Sequence, residues 1–236
     1  MKKYELTTET LQFAGRTLHR IKAVKDFGSI QAGEFGGWIE NEKNLSQDDN
    51  AWIYYNAMVF DNANVFGNAK ILGNVNVFGN AKILGNAEIL GNANVFGNAK
   101  VYDNAKVYDN AMVYGNAEIL GNAKISCNAK VYGYAKVYDN ANIDDYAEVY
   151  GRVVIKGDAK VHDATDYIVF KNFWSSGRYF TWTRSNNKWS VGCFYGTGEE
   201  LIKKAYADSD TSGREYERVV RYVESILADE KKEKSN

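Results

Sequence analysis

The sequence predicts a mainly β chain, built on a parallel β-helix of about six triangular coils with an N-terminal β cap and a small C-terminal α+β domain. Three observations lead there. From Ala51 to Val161 every sixth residue is alanine, except Val75 and Val153, and the residue two places on is Ile or Val in all 19 repeats. No residue is inserted or deleted across that stretch, and the chain contains no proline.

A six-residue period does not fit an α-helix, whose turn of about 3.6 residues would spread the apolar positions around every side. Within each unit, Ala inward, Lys, Asn or Glu outward and Val or Ile inward form the period-two pattern of a short strand. Gly-Asn or Asp-Asn then supplies residues that tolerate positive φ, so each hexad is a strand and a corner. Three corners of roughly 120° close a coil, and coils stack at ~4.8 Å to a height of roughly 30 Å. The missing proline agrees, since every strand N–H is needed between coils. In these features the chain resembles the hexapeptide-repeat proteins, in which an aliphatic residue is followed four places later by a small one, as Val101 is by Ala105. That resemblance, which covers about half of the chain, implies a left-handed parallel β-helix.

The organisation expected is a cap and irregular first coil over 1–50, the hexapeptide β-helix over 51–163 and an α+β domain over 164–236. Bare solenoid ends would leave unpaired strand edges, so the flanking segments read as caps. In the first segment Tyr4-Glu5-Leu6 and Leu18–Val24 alternate like strands, and Gly36-Gly37-Trp38-Ile39 leads into the irregular coil. The run Ile21–Phe27, with Ala32-Gly33, Gly36-Gly37-Trp38, Asn44–Gln47 and Trp52-Ile53-Tyr54, resembles the N-terminal cap of the YdcK-like family of bacteria and prophages. Those proteins carry a transferase label inherited from the fold. In the last segment, strands are expected at Tyr167–Phe170, Tyr179–Thr183 and Trp189–Phe194, the last two joined through Asn186-Asn187. Thr197 caps a helix starting at Gly198, a second helix runs from about Arg214 to Ala228, and the tail from Glu230 to Lys234 is read as frayed. This module is similar to α+β domains of phage-encoded repeat proteins at Gly192-Cys193-Phe194 and Gly196-Thr197.

Twenty-nine Lys and Arg against thirty Asp and Glu give a net charge of -1, which supplies no basic field for nucleic acid. No apolar run approaches the ~20 residues of a membrane span and no leader is evident, so the cytoplasm, or the host-cell cytoplasm for a phage-encoded chain, is expected. Cys127 and Cys193 are too few for a disulfide framework or structural zinc site. Cys127 sits at a corner without a histidine in the adjacent hexads, and Cys193 lies among strand aromatics as core.

The resemblance also implies a chemistry to look for. Hexapeptide-repeat acyltransferases characteristically use a histidine base near a loop that protrudes from a coil and covers the donor. Nineteen uninterrupted hexads leave no such loop. His162, the only repeat histidine, occupies an outward slot of the last coil and would need an orienting partner and a pocket to act as a base. His19 lies in the cap. Asp139, Asp144 and Asp145 cluster where late coils meet and read as corner residues bonding their own backbone rather than cation ligands.

Residues 18 apart stack on one face, which sorts the outward slot after each Val or Ile into three ladders. The first is Tyr54, Leu72, Leu90, Tyr108, Ser126, Asp144, His162, and the third is Phe66, Leu84, Tyr102, Leu120, Tyr138, Lys156. The second is aromatic at every level: Phe60, Phe78, Phe96, Tyr114, Tyr132 and Tyr150, flanked by Met58 and Met112. These rings either stack to stabilise the solenoid or form a face too apolar for a monomer to expose, to be buried in a dimer or trimer. With no catalytic residue, metal or cofactor identified, the reading is a non-catalytic scaffold or binding protein of phage or prophage type, acting on a macromolecule such as a host protein. Inhibition of a host defence system is one version. The alternatives are an acyltransferase with an inter-subunit site and a nucleotide-binding sponge.

Overall fold

The computed structural model describes residues 2–234. It divides into two compact units, residues 1–164 and 165–236. The first unit is the solenoid with its N-terminal strands, a left-handed parallel β-helix of about seven turns.

Each solenoid strand is two residues long, as at Asn94–Val95 and Met112–Val113. Strands pair in parallel with the residue 18 further on, Val95 with Val113 and Val113 with Val131. The bonds run one way along the axis: Lys100 N donates to Ala117 O at 2.9 Å, Tyr102 N to Ile119 O at 3.0 Å and Asn104 N to Gly121 O at 2.9 Å. The Ala and Val or Ile of each hexad point inward and are buried, so the interior consists of small and β-branched columns with no polar atom to satisfy.

The count of turns exceeds the expected six because the cap contributes one. Trp38 and Ile39 pair in parallel with Met58 and Val59, and Leu45 bridges to Val65. Before this turn, β1 (Tyr4–Phe13) and β2 (Arg16–Ala23) form an antiparallel hairpin, and β3 (Phe35–Ile39) pairs antiparallel with β2. The hairpin thereby extends the sheet that carries the second ladder. Lys3, buried in this cap, donates to the Asp49 and Ala51 carbonyls, each at 2.9 Å, and burial pushes its pKa down.

The corners differ from expectation in one respect. A side chain leaving a corner points along the solenoid axis, since a Cβ added at Gly67 would lie 2.9 Å from Gly85 N. Corner aspartates therefore bond the coil above instead of their own backbone: Asp61 accepts from Gly79 N, Asp103 from Gly121 N and Asp139 from Gly157 N, at 3.0 to 3.1 Å. Where asparagine follows the corner it forms a parallel amide ladder, Asn68 Nδ2 to Asn86 Oδ1 and Asn86 Nδ2 to Asn104 Oδ1, both at 3.0 Å.

The second unit is an antiparallel sheet of four strands, Tyr167–Lys171, Tyr179–Thr183, Lys188–Val191 and Phe194–Gly196, with helices α1 (Gly198–Asp208) and α2 (Asp210–Glu233). Its core gathers Phe180, Trp182, Trp189, Val191, Leu201, Ile202, Val220 and Val223. Thr197 caps α1, as the sequence suggested, and Glu200 completes a reciprocal box with it. Three expectations need correction. The positive φ of Gly192 turns the chain into a fourth strand, which leaves Cys193 exposed rather than in the core. Ser209 caps α2 through Ser212 N, so that helix starts at Asp210. The tail continues as helix through Glu233 instead of fraying. No helix among the described residues is long and apolar enough to cross a membrane.

Gly73 tests the corner geometry. Its φ is +96°, and an added Cβ would lie 2.5 Å from Gly91 O, whereas Gly33, at φ +94° in the cap, has nothing within 4 Å. Gly33→Ala should therefore cost only the left-handed backbone penalty of about 1–2 kcal/mol, and Gly73→Ala clearly more. Urea denaturation of both variants checks the order; equal losses would mean that corner packing contributes nothing.

Candidate functional site

The face beginning at Trp52 carries the most chemistry. Its outward column before each inward Val or Ile reads Trp52, Lys70, Glu88, Lys106, Lys124, Asn142, Lys160 along one parallel sheet. Glu88 pairs with Lys106 at 2.6 Å and reaches Lys70 at 4.0 Å. No carboxylate among the described residues pairs with Lys124. On this face lies a hollow of ≈ 420 Å³ lined by Tyr108, Asn122, Lys124, Asn140, Asn142 and Lys160.

Asn142 connects the hollow to the last coil. Its Nδ2 donates to Asp144 Oδ2 at 2.6 Å, while its Oδ1 is shielded from solvent without a hydrogen-bond partner. Asp144 in turn bonds His162 Nδ1, one coil further on, and Asp145 Oδ2 stands 3.5 Å from the same nitrogen. A carboxylate on Nδ1 places the proton there and leaves Nε2 as the basic nitrogen of the neutral ring. The imidazole is thus oriented as a general base requires. Asp144, Asp145 and His162 also bring one ligand atom each to within 4.8 Å of one another, a set that could hold a divalent cation. Asp139, grouped with these aspartates in the sequence, is engaged by Gly157 N instead.

Sequence reasoning considered His162 and Asp144 separately and missed their pairing. The signal was present, because two residues 18 apart in one ladder must be neighbours on adjacent coils. The other polar candidates do not assemble. Cys127 sits at a corner with φ +56°, its amide donating to Asp109 Oδ2 at 3.2 Å. His19 Nδ1 lies 3.3 Å from the Thr7 carbonyl across the hairpin.

The second ladder is a continuous stack. Successive rings from Phe60 through Phe78, Phe96, Tyr114 and Tyr132 to Tyr150 have centroids 4.8 to 5.2 Å apart and planes within 13° of parallel. Its two ends differ. Phe60 is 4% exposed, covered edge-on by Phe13 at 5.7 Å and by the Arg16 guanidinium at 5.6 Å, while Tyr150 is 52% exposed. Phe60 therefore leaves the candidate interaction face, buried by the chain's own hairpin. Met58 and Met112 are half-buried beside the stack. Near its exposed end Lys130 pairs with Glu148 at 2.8 Å and holds that carboxyl below the usual range. On the third face, Lys136 first and then Lys100 act in the same way on Glu118.

Parallel coils of three hexads fit the hexapeptide-repeat proteins. One particular relative belongs beside them. A stretch of 62 residues is 39% identical to a protein of Escherichia coli (strain K12) named uncharacterized acetyltransferase YdcK. The match takes in 23% of this chain, which spans about a fifth of that protein's length, 19%. No protein-family model matches the chain. The expectation that the chain is not an enzyme is corrected by this match, since the similar protein carries an enzyme's name. The argument behind that expectation required a protruding loop; it overlooked that coil register alone brings an orienting carboxylate to His162.

Proposed function

We propose that the chain is an acyl-group transferase of the hexapeptide-repeat kind, in which His162 acts as the general base and Asp144 orients it. The observation that carries this reading is the Asp144 carboxylate on His162 Nδ1, linked through Asn142 to the polar hollow. The name of the E. coli relative supports the reaction class. In such a reaction an amine or hydroxyl of the acceptor attacks the donor thioester carbonyl, Nε2 takes the proton released, and the thiolate leaves. Lys124 and Lys160, two cations lining the hollow, suit a donor or acceptor bearing phosphate.

The test combines calorimetric titration of the chain with acetyl-CoA and thiol release in the presence of amine and hydroxyl acceptors. Binding is expected, with release slowed by about 10²–10⁴-fold in His162→Ala at unchanged circular dichroism. Absence of binding, or release that survives His162→Ala, overturns the proposal.

A second reading concerns assembly and rests on the half-exposed rings from Phe78 to Tyr150. A face of this size and low charge suits burial against a second copy of the chain. Phe96→Lys with Tyr114→Lys places two charges in the middle of the stack while the inward Ala93, Val95, Ala111 and Val113 are untouched. Light scattering should show the parent as an oligomer and the double variant as a folded monomer, because burying unpaired ammonium groups costs several kcal/mol. A folded variant of unchanged mass, or a monomeric parent, contradicts self-association.

A further inference from the structure

Between Asp166 and Glu199 the sequence contains no acidic residue, while Lys171, Arg178, Arg184 and Lys188 fall inside that segment. The segment forms the four-stranded sheet of the second unit, and at one end of the sheet the loop 172–178 joins the strands Tyr167–Lys171 and Tyr179–Thr183. Phe173 stands on this loop 85% exposed, more than any other large hydrophobic side chain among the described residues.

The loop is built to hold that ring out. Asn172, fully buried, accepts from Ser175 N at 2.9 Å and donates to Ser175 Oγ at 2.9 Å, and its own N–H closes the loop on Arg178 O at 2.7 Å. Trp174 packs against Phe180 at 5.9 Å and Tyr216 at 6.0 Å. Both neighbours of Phe173 are thus tied into the unit, and the ring itself meets Trp174 edge-on at 5.3 Å. Lys171 and Arg178 flank the loop, both exposed, and neither pairs with a carboxylate among the described residues. Strand alternation puts Lys171 on the face opposite Phe170. Arg178 leaves on the face of Phe180, its Cδ 3.6 Å from where a Cβ on Gly192 would stand. One cation therefore stands on each side of the ring.

A ring so open has no protein wall around it, so its partner is a surface and not a molecule held in a pocket. A single nucleic-acid strand calls for a cationic groove and successive rings for its bases, whereas one ring stands here alone. An anionic lipid interface calls for an apolar group that enters the boundary between headgroups and acyl chains, with cations beside it. We propose that the loop 172–178 docks the chain on an anionic lipid surface, Phe173 entering the interface and Lys171 and Arg178 meeting the headgroup charges. The contact needs no spanning segment and is reversible. It is independent of His162 and the acyl-transfer reading, and it uses none of the rings from Phe78 to Tyr150.

The full chain is sedimented with vesicles of phosphatidylcholine, with and without phosphatidylserine, at millimolar lipid. Binding is expected to the vesicles that contain phosphatidylserine, weakening as salt is added, with little to phosphatidylcholine alone. Phe173→Ser should weaken it about tenfold, and Lys171→Gln and Arg178→Gln about fivefold each. Lys82→Gln, an exposed lysine of the solenoid, should change nothing. No binding to phosphatidylserine vesicles, binding indifferent to Phe173→Ser, or equal weakening by Lys82→Gln and Lys171→Gln would each overturn the proposal. Fluorescence anisotropy with a labelled oligothymidylate completes the test: tight binding that depends on the same three residues would assign the loop to nucleic acid and overturn the lipid surface.

Discussion

The whole first unit depends on one interaction, the backbone hydrogen bond from each coil to the coil above it. Outward residues that follow a corner or an inward side chain send their N–H groups to carbonyls 17 residues on, as Lys100 does to Ala117 and Phe78 does to Val95. That ladder requires the same number of residues in every coil. A single insertion would exchange inward and outward positions in one hexad and leave the strand above out of register. The strict hexad, the absence of proline and the corner residues tolerant of positive φ are consequences of the same requirement.

Register is also what produces chemistry on the surface. Strands of two residues cannot hold a side chain rigidly by themselves, yet each side chain has a neighbour about 4.8 Å above and below it. Where the neighbours are alike, the result is a stack, as in the phenylalanine and tyrosine rings or the asparagine amides. Where they are complementary, ion pairs form, as between Lys106 and Glu88. Where a ladder changes composition, from Tyr108 through Ser126 to Asp144 and His162, a carboxylate and an imidazole meet beside a hollow. A meeting of this kind needs no protruding loop.

The coil architecture was legible in the sequence because its period is exact in the inward columns, and so was the membership of each ladder. The extra turn was partly legible: Gly36–Ile39 announced an irregular coil, but Leu45 pairs with Val65 outside any repeat. Less legible was whatever depends on side-chain direction. The axial reach of Asp61 and Asp103 follows from corner geometry, not composition, and the exposure of Cys193 follows from a turn at Gly192 within an aromatic run. Asn76 and Asn142 look like any other asparagine in the repeat. Only the packed structure shows that each keeps a shielded oxygen without a donor.

The most direct test of the account removes residues in and out of register. Deleting 91–108, one full coil, joins Leu90 to Asp109 and restores the hexad phase, whereas deleting 91–99 does not. The account predicts that the longer deletion keeps a β-sheet circular dichroism spectrum and a cooperative thermal transition, with a modestly lower Tm, while the shorter one loses both. If the shorter deletion folds as well as the longer, coil register is not the constraint on which this structure depends.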